Sequence, residues 1–269
     1  RARAYSFLNA AFPIGSVLGP TLGGMVVDSL SWRHLFMFAA MIHALCLLPF
    51  MLIRDSGKAV VEPGERSTRA SFTEVQLRAL LLLITLQFLQ GLGFGLITPM
   101  IPFHLTEAFG STATQVGLFS SIGFGVTAVL AQIPSARLSE LIGEERLVFY
   151  CSSVIPLAVF LWPSRAGYLE ALLLYMIATA AWSMTWSPLV SILMETSPAS
   201  RRGLFSGIMD ASVMLGFTVG PAAGGMLWDS MGYQAPFSAS ALVLGISVPL
   251  ALLLDKSQRT PLGFHDAGS

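Results

Sequence analysis

The chain has 269 residues, of which 54% are hydrophobic and 11% charged, with a mean hydropathy of +0.70 and no net charge. A soluble domain carries about 25% charged residues, so this chain has too few to coat a water-exposed surface of its size. Zero net charge also supplies no basic field for nucleic acid. The charges fall between long apolar runs, which is the pattern of membrane spans. Cys46 and Cys151 both lie within apolar runs and read as small core residues, not as a disulfide framework or thiolate metal site.

A spanning helix needs about 20 largely apolar residues. Taken in chain order, eight segments meet that length: Tyr5–Val27, Leu35–Ile53, Leu77–Leu105, Val116–Pro134, Leu147–Pro163, Tyr168–Met194, Leu204–Trp228 and Tyr233–Leu254. The expected fold class is an all-α polytopic membrane protein. The loops are short except for residues 54–76, where Lys58, Glu62, Pro63, Gly64, Glu65, Arg66 and Arg69 give a hydrated linker between two helical bundles. The expected organisation is therefore two helices over 1–53, the linker over 54–76, a six-helix bundle over 77–254 and a polar tail over 255–269. The chain opens on Arg1-Ala2-Arg3 without a methionine or a cleavable leader, so Arg1 reads as an internal residue of a longer protein.

Lys and Arg set the orientation. Of the fifteen basic residues, all but Arg33 and Arg165 fall on the side that holds both ends and the linker, which places that side in the cytoplasm. The predicted location is a cell membrane crossed several times.

The chain also repeats itself. A shift of 201 positions carries Gly15 onto Gly216, Gly19-Pro20 onto Gly220-Pro221, Gly23-Gly24-Met25 onto Gly224-Gly225-Met226, Asp28-Ser29 onto Asp229-Ser230 and Phe36 onto Phe237, without a gap. One register held through a turn and into the next helix identifies the first two helices as the duplicate of the last two. The repeating unit then has six helices, and this chain holds two of one unit and all of the next.

Two six-helix units joined by a cytoplasmic linker resemble the major facilitator superfamily. The resemblance implies parallel repeats around a central cavity, four further helices ahead of Arg1, and an intact protein of roughly 390 residues at ~30 residues per helix and loop. Gly15-Ser16-Val17-Leu18-Gly19-Pro20-Thr21-Leu22-Gly23-Gly24 looks like the family's antiporter motif, and the Trp32-Arg33-His34-Leu35-Phe36 that follows is similar to a stretch common in its exporters. Gly15, Gly19 and Gly23 are four apart and share a helix face that admits a second backbone, while Pro20 removes a donor and bends the helix. Gly216, Gly220, Pro221, Gly224 and Gly225 repeat that packing pattern. Arg137, Glu140, Gly143 and Arg146 fit the family's gate-loop motif in part, with Ala136 for Gly, Glu140 for Asp, and Glu144-Glu145 at two usually basic positions. A solvated helix end is the competing reading of that loop.

The third span is rich in Gly and Pro and resembles the broken first helix of each family half. Gln87, Gln90, Phe94, Thr98 and Ile101 fall near one of its faces and are candidates to line a substrate cavity, the alternative being that the two glutamines bond neighbouring helices. Phe124, Trp182 and Trp186 would add an aromatic wall suited to hydrophobic or cationic substrates, against the alternative of lipid contact. Asp210 is an intramembrane acid, read as a structural anchor to a helix end or to Arg201 or Arg202 in preference to a proton carrier. His43 reads as a packed neutral side chain bonded to a carbonyl.

The leading expectation is a proton-coupled exporter of small hydrophobic or cationic molecules that works by alternating access. Its partners would be a small-molecule substrate, protons, the bilayer and the remaining helices of the same protein. An uptake carrier for a sugar or organic anion and a membrane sensor or lipid-handling protein are the other readings. No catalytic, cofactor or metal motif is present: His34, His43, His104 and His265 are scattered, and no P-loop, HExxH or GxSxG pattern occurs.

Overall fold

The computed structural model describes residues 2–52, 74–164 and 167–258. Most of the expected linker and most of the tail lie outside the described residues. The described chain forms ten α-helices: α1 (Ala2–Ser29), α2 (Trp32–Leu52), α3 (Glu74–Ile97), α4 (Met100–Phe109), α5 (Ala113–Ser120), α6 (Thr127–Ile142), α7 (Glu144–Leu161), α8 (Tyr168–Thr196), α9 (Arg202–Met231) and α10 (Gln234–Gln258). A π-helical turn, Ser121–Val126, joins α5 to α6 without a break. Helix is found at all eight expected spans. Among the described residues, five stretches are long and apolar enough to cross a membrane: Gln76–Phe109, Ala113–Ile142, Tyr168–Thr196, Arg202–Met231 and Gln234–Leu254.

The third span is broken, as its composition suggested. α3 gives way to α4 at Thr98-Pro99, where the Thr98 hydroxyl turns back to donate to the Phe94 carbonyl at 2.7 Å. Pro99 and Pro102 cannot donate to the carbonyls four residues back, which loosens the ladder there. α4 ends at Gly110, whose φ of 61° is the left-handed conformation that a glycine takes without strain.

α3 packs along α9 and α10, α7 along α8 and α10, and α6 along α8. Two apolar clusters form at the two ends of this bundle. One gathers Leu105, Phe119, Trp162 and Phe237, and the other Leu83, Val148, Leu193 and Leu254. At Pro188 in α8, a neighbouring helix completes the bonding. Pro188 leaves the Met184 carbonyl without its helical donor, and the Ser135 hydroxyl of α6 donates to it at 2.9 Å. Cys151 is buried, as expected for a small core residue, whereas Cys46 is exposed on α2.

α1 lies against α5 and the π turn, and among the described residues α2 packs chiefly on α1. The α1–α5 seam is backbone on backbone. A Cβ on Gly24 would strike the Ala113 carbonyl, one on Gly117 the Pro20 carbonyl, and one on Gly125 would come within 2.6 Å of the Ser16 carbonyl. Pro20, four residues on, has no N–H to close the helical bond to that carbonyl, and Gly125 approaches there. Thr21 adds two bonds to the Ser121 hydroxyl, from its N–H at 3.2 Å and its own hydroxyl at 2.8 Å.

This corrects one expectation. Among the described residues, Gly15 and Gly19 are not the face that packs on α5: a Cβ on either meets nothing within 4 Å there, and one on Gly23 meets only Leu35 at 3.5 Å. The stripe that touches α5 and the π turn is Ser16, Pro20 and Gly24, one residue further on. In α9, the copies Gly216, Gly220 and Gly224 do pack tightly, against the backbone of α3 between Phe88 and Leu96, while Gly225 is open. Each copy of the motif thus has two faces and fills a different one.

Gly24→Leu or Gly117→Leu should lower the thermal midpoint of the detergent-solubilised protein, corresponding to a loss of about 1–3 kcal/mol from forcing the two backbones apart. Gly15→Leu should leave the α1–α5 seam unchanged. Circular dichroism melts of the three variants check the contrast.

Candidate functional site

A cavity of about 360 Å³ opens between α1, the π turn, α6, α8 and α9. Its walls are Ser16 from α1, Phe124, Gly125, Ala128, Val129 and Gln132 from the turn and α6, Trp182, Ser183 and Trp186 from α8, and Val213, Met214 and Phe217 from α9. The π turn shapes this wall. Its wide backbone is held by the Thr127 hydroxyl donating to the Ile122 carbonyl at 2.7 Å, and it places Phe124 toward the cavity beside Gly125 in the seam.

Trp182 is the centre of an aromatic group. Its ring lies 5.2 Å from Phe94, 6.1 Å from Phe124 and 6.3 Å from Phe217, centre to centre. Such separations are those of favourable aromatic pairs. Trp186, one turn on, is more exposed, at 38%. The lining carries hydroxyl, amide and indole groups but no acid, Lys, Arg or His. An apolar box with a few polar points suits a flat, hydrophobic or cationic molecule, the cation resting on ring faces.

The expected site residues therefore divide. Phe124, Trp182 and Trp186 come together at the cavity, and Phe94 supports Trp182 from behind. Gln87 and Gln90 do not line it: both are buried, and neither amide has a hydrogen-bond partner among the described residues. Thr98 is exposed and bonded to its own helix, and Ile101 is buried in the apolar cluster. Phe217, Met214, Gln132, Ser183 and Ser16 are lining residues that the sequence reading missed. Phe217 directly follows Gly216, so the glycine motif itself marked the neighbourhood but not which flanking side chain faced inward.

At the Asp28 end, the start of α5 is fully capped. The Asp28 carboxylate accepts from the N–H groups of Ala113 at 3.0 Å and Thr114 at 2.7 Å. Thr112 and Gln115 form a reciprocal capping box. The bonds to Thr114 chiefly hold the Asp28 carboxyl below its ordinary value. Stability from this contact is present above the unfolded value and is lost as pH falls through the lowered folded one.

At the other end, Arg137, Glu140 and Arg146 are exposed and make no ion pair among the described residues, and Gly143 takes φ 92° between α6 and α7. Burial pushes the Glu144 carboxyl up, with Glu195 and Glu145 adding to the rise and a Ser191 bond opposing it. Asp210 is exposed and forms neither a helix-end bond nor an ion pair with Arg201 or Arg202 among the described residues, so the anchor expected from the sequence is not made. His43 does bond a carbonyl, with Nδ1 2.7 Å from Ala39 O.

A family model described as the Major Facilitator Superfamily matches residues 1–86 and 83–267. Multidrug resistance protein 1 of Bacillus subtilis is 21% identical over 93% of this chain and 64% of its own length. Multidrug resistance protein MdtG of Dickeya zeae is 27% identical over 87% of the chain and 58% of that protein. Quinolone resistance protein NorA of Staphylococcus aureus is 24% identical over 66% of the chain and 46% of that protein. The chain thus spans just under two thirds of the length of the first of these relatives.

A rhodamine-type hydrophobic cation titrated onto the purified protein should bind more weakly after Trp182→Ala, by about 0.5–2 kcal/mol for loss of a desolvated ring face. Phe217→Ala should weaken it in the same direction. Dye fluorescence anisotropy measures both, and Trp162→Ala, outside the cavity, supplies the comparison.

Proposed function

Because the chain belongs to the Major Facilitator Superfamily, we propose that it forms the larger part of a secondary transporter that exports small hydrophobic or cationic molecules. The observation that carries this reading is the Trp182-centred cavity, whose lining offers aromatic faces and no cationic group for an anion. The names of the relatives, given for multidrug and quinolone resistance, agree with it.

The chain divides in this proposal into the last two helices of one bundle over 1–53, a cytoplasmic linker over 54–76, a six-helix second bundle over 77–254 and a cytoplasmic tail. It sits in the cell membrane with both ends inside, and the Asp28 end outside. The cavity lies where α1 of the first bundle meets α6, α8 and α9 of the second. Rocking of one bundle against the other would open it alternately to each side. The α1–α5 seam and its Asp28 cap would close the outer side. Uphill export would draw on the proton gradient, whose electrical part supplies about 2.3 kcal/mol per charge per 100 mV. The lining holds no titratable side chain, so the proton would be carried elsewhere in the whole protein.

Cells expressing the full-length protein should retain less of a hydrophobic cationic dye, and collapsing the proton gradient should abolish the difference. Equal retention with and without the protein would refute export. Asp210→Asn should leave both the amount of protein and the pH profile of efflux unchanged, since Asp210 makes no hydrogen bond or ion pair among the described residues and is not among the cavity-lining side chains. A flattened pH profile at normal expression would make Asp210 the proton carrier.

A further inference from the structure

Between the two apolar clusters, four helices each turn polar: Gln87 and Gln90 on α3, Ser152 on α7, Thr185 on α8 and Ser247 on α10. On every one of these helices the polar position stands three or four residues from a member of each cluster, as Gln87 does from Leu83 and Gln90 from Phe94. That spacing keeps the polar groups on the faces that carry the clusters. All five side chains are at most 1% exposed.

Three contacts show that these positions share one level. Trp162 and Phe237 have ring centres 4.6 Å apart, and equal steps back along α7 and on along the antiparallel α10 lead to Ser152 and Ser247. The Ser240 hydroxyl donates to the Gly93 carbonyl at 2.7 Å, and the same count brings Ser247 level with Leu86, next to Gln87. The Phe94–Trp182 ring pair likewise sets Gln90 level with Trp186, next to Thr185. α3, α10, α7 and α8 contact one another in turn and close a ring around this level.

The bonding within the layer is incomplete. Thr185 and Ser247 donate to carbonyls of their own helices, at Trp182 and Leu244, which leaves their oxygens free to accept. The Gln87 and Gln90 amides, at both nitrogen and oxygen, and the Ser152 hydroxyl have no partner among the described residues. A buried amide left so forfeits its hydration without return. The enclosing helices already cover these atoms, so a helix packed on the outside of the bundle does not reach them.

We infer that the layer is a water site: water held between α3, α7, α8 and α10 and bonded by the Gln87 and Gln90 amides and the Ser152 hydroxyl. The chemistry selects the occupant. It must donate as well as accept, and it must be neutral, because none of the five side chains is acidic or basic and an ion there would lack a counter-charge. A buried water makes two to four such bonds. Ser183, two residues before Thr185, lines the cavity, so the layer adjoins it. The inference does not depend on the export proposed above.

The test is X-ray radiolytic footprinting of the full-length protein in lipid nanodiscs, read by mass spectrometry. Radiolysis turns a held water into a hydroxyl radical that labels the side chain beside it, however buried. Phe94 and Phe119 are both buried and have the same intrinsic reactivity, but only Phe94 stands a turn from Gln90. The expected result is Phe94 labelled several-fold faster than Phe119. Ser152→Ala should lower the Phe94 rate, and Gln87→Leu combined with Gln90→Leu should bring it down to that of Phe119. Phe124 and Phe217, in the cavity wall, should keep their rates in both variants and so report an intact fold. Equal labelling of Phe94 and Phe119 in the unaltered protein would overturn the inference whether or not the variants fold. So would a fast Phe94 rate that neither variant changes.

Discussion

Two helix backbones cannot approach to van der Waals contact if side chains stand between them, and this structure depends on that constraint being met along α1. Gly24, Gly117 and Gly125 are the points where α1 meets α5 and the π turn, and at each a Cβ would strike main-chain atoms. No hydrophobic gain drives such contact within a bilayer, so close packing and interhelical bonds must supply the adhesion. The Thr21–Ser121 bonds and the Asp28 cap provide the polar part.

The cavity is a consequence of the same seam. Gly125 belongs both to the contact with Ser16 and to the cavity wall, and Phe124 beside it faces Trp182. The π turn that carries both residues adds width to a helix that would otherwise run straight from α5 to α6. A change in the seam therefore moves one wall of the proposed substrate site. In the proposed alternating-access cycle this link would couple the two, because the contact proposed to close the outer side also shapes the wall of the proposed substrate cavity.

Much of the fold was legible because membrane helices announce themselves by length and apolarity, and because a gapless repeat fixes which helices are copies. The break at Thr98-Pro99 was legible from its prolines. The face of α1 that packs was not, since Gly15, Gly19, Gly23 and Ser16, Pro20, Gly24 are adjacent stripes and both are small. Spacing alone ranks a stripe of three glycines first, but the partner helix and its own glycines decide. Polarity in a span suggests a water-lined cavity for Gln87 and Gln90, yet burial between helices has the same sequence signature. Trp182 and Trp186 were found by their spacing, whereas Phe217 needed the register of α9 against α3. The cap on α5 required a contact across 85 positions of chain, between Asp28 and Ala113, which no local pattern encodes.

In the proposed transporter the α1–α5 seam would be the moving contact between the two halves. Spin labels at Leu30 and Leu118, both exposed near the Asp28 end, allow its opening to be measured directly by pulsed electron resonance in the full-length protein in lipid. A moving seam should give a short distance in one condition of pH and dye, and a second, longer population in another, with Gly24→Leu shifting the balance toward the longer. A single distance that neither pH, dye nor Gly24→Leu alters would contradict it.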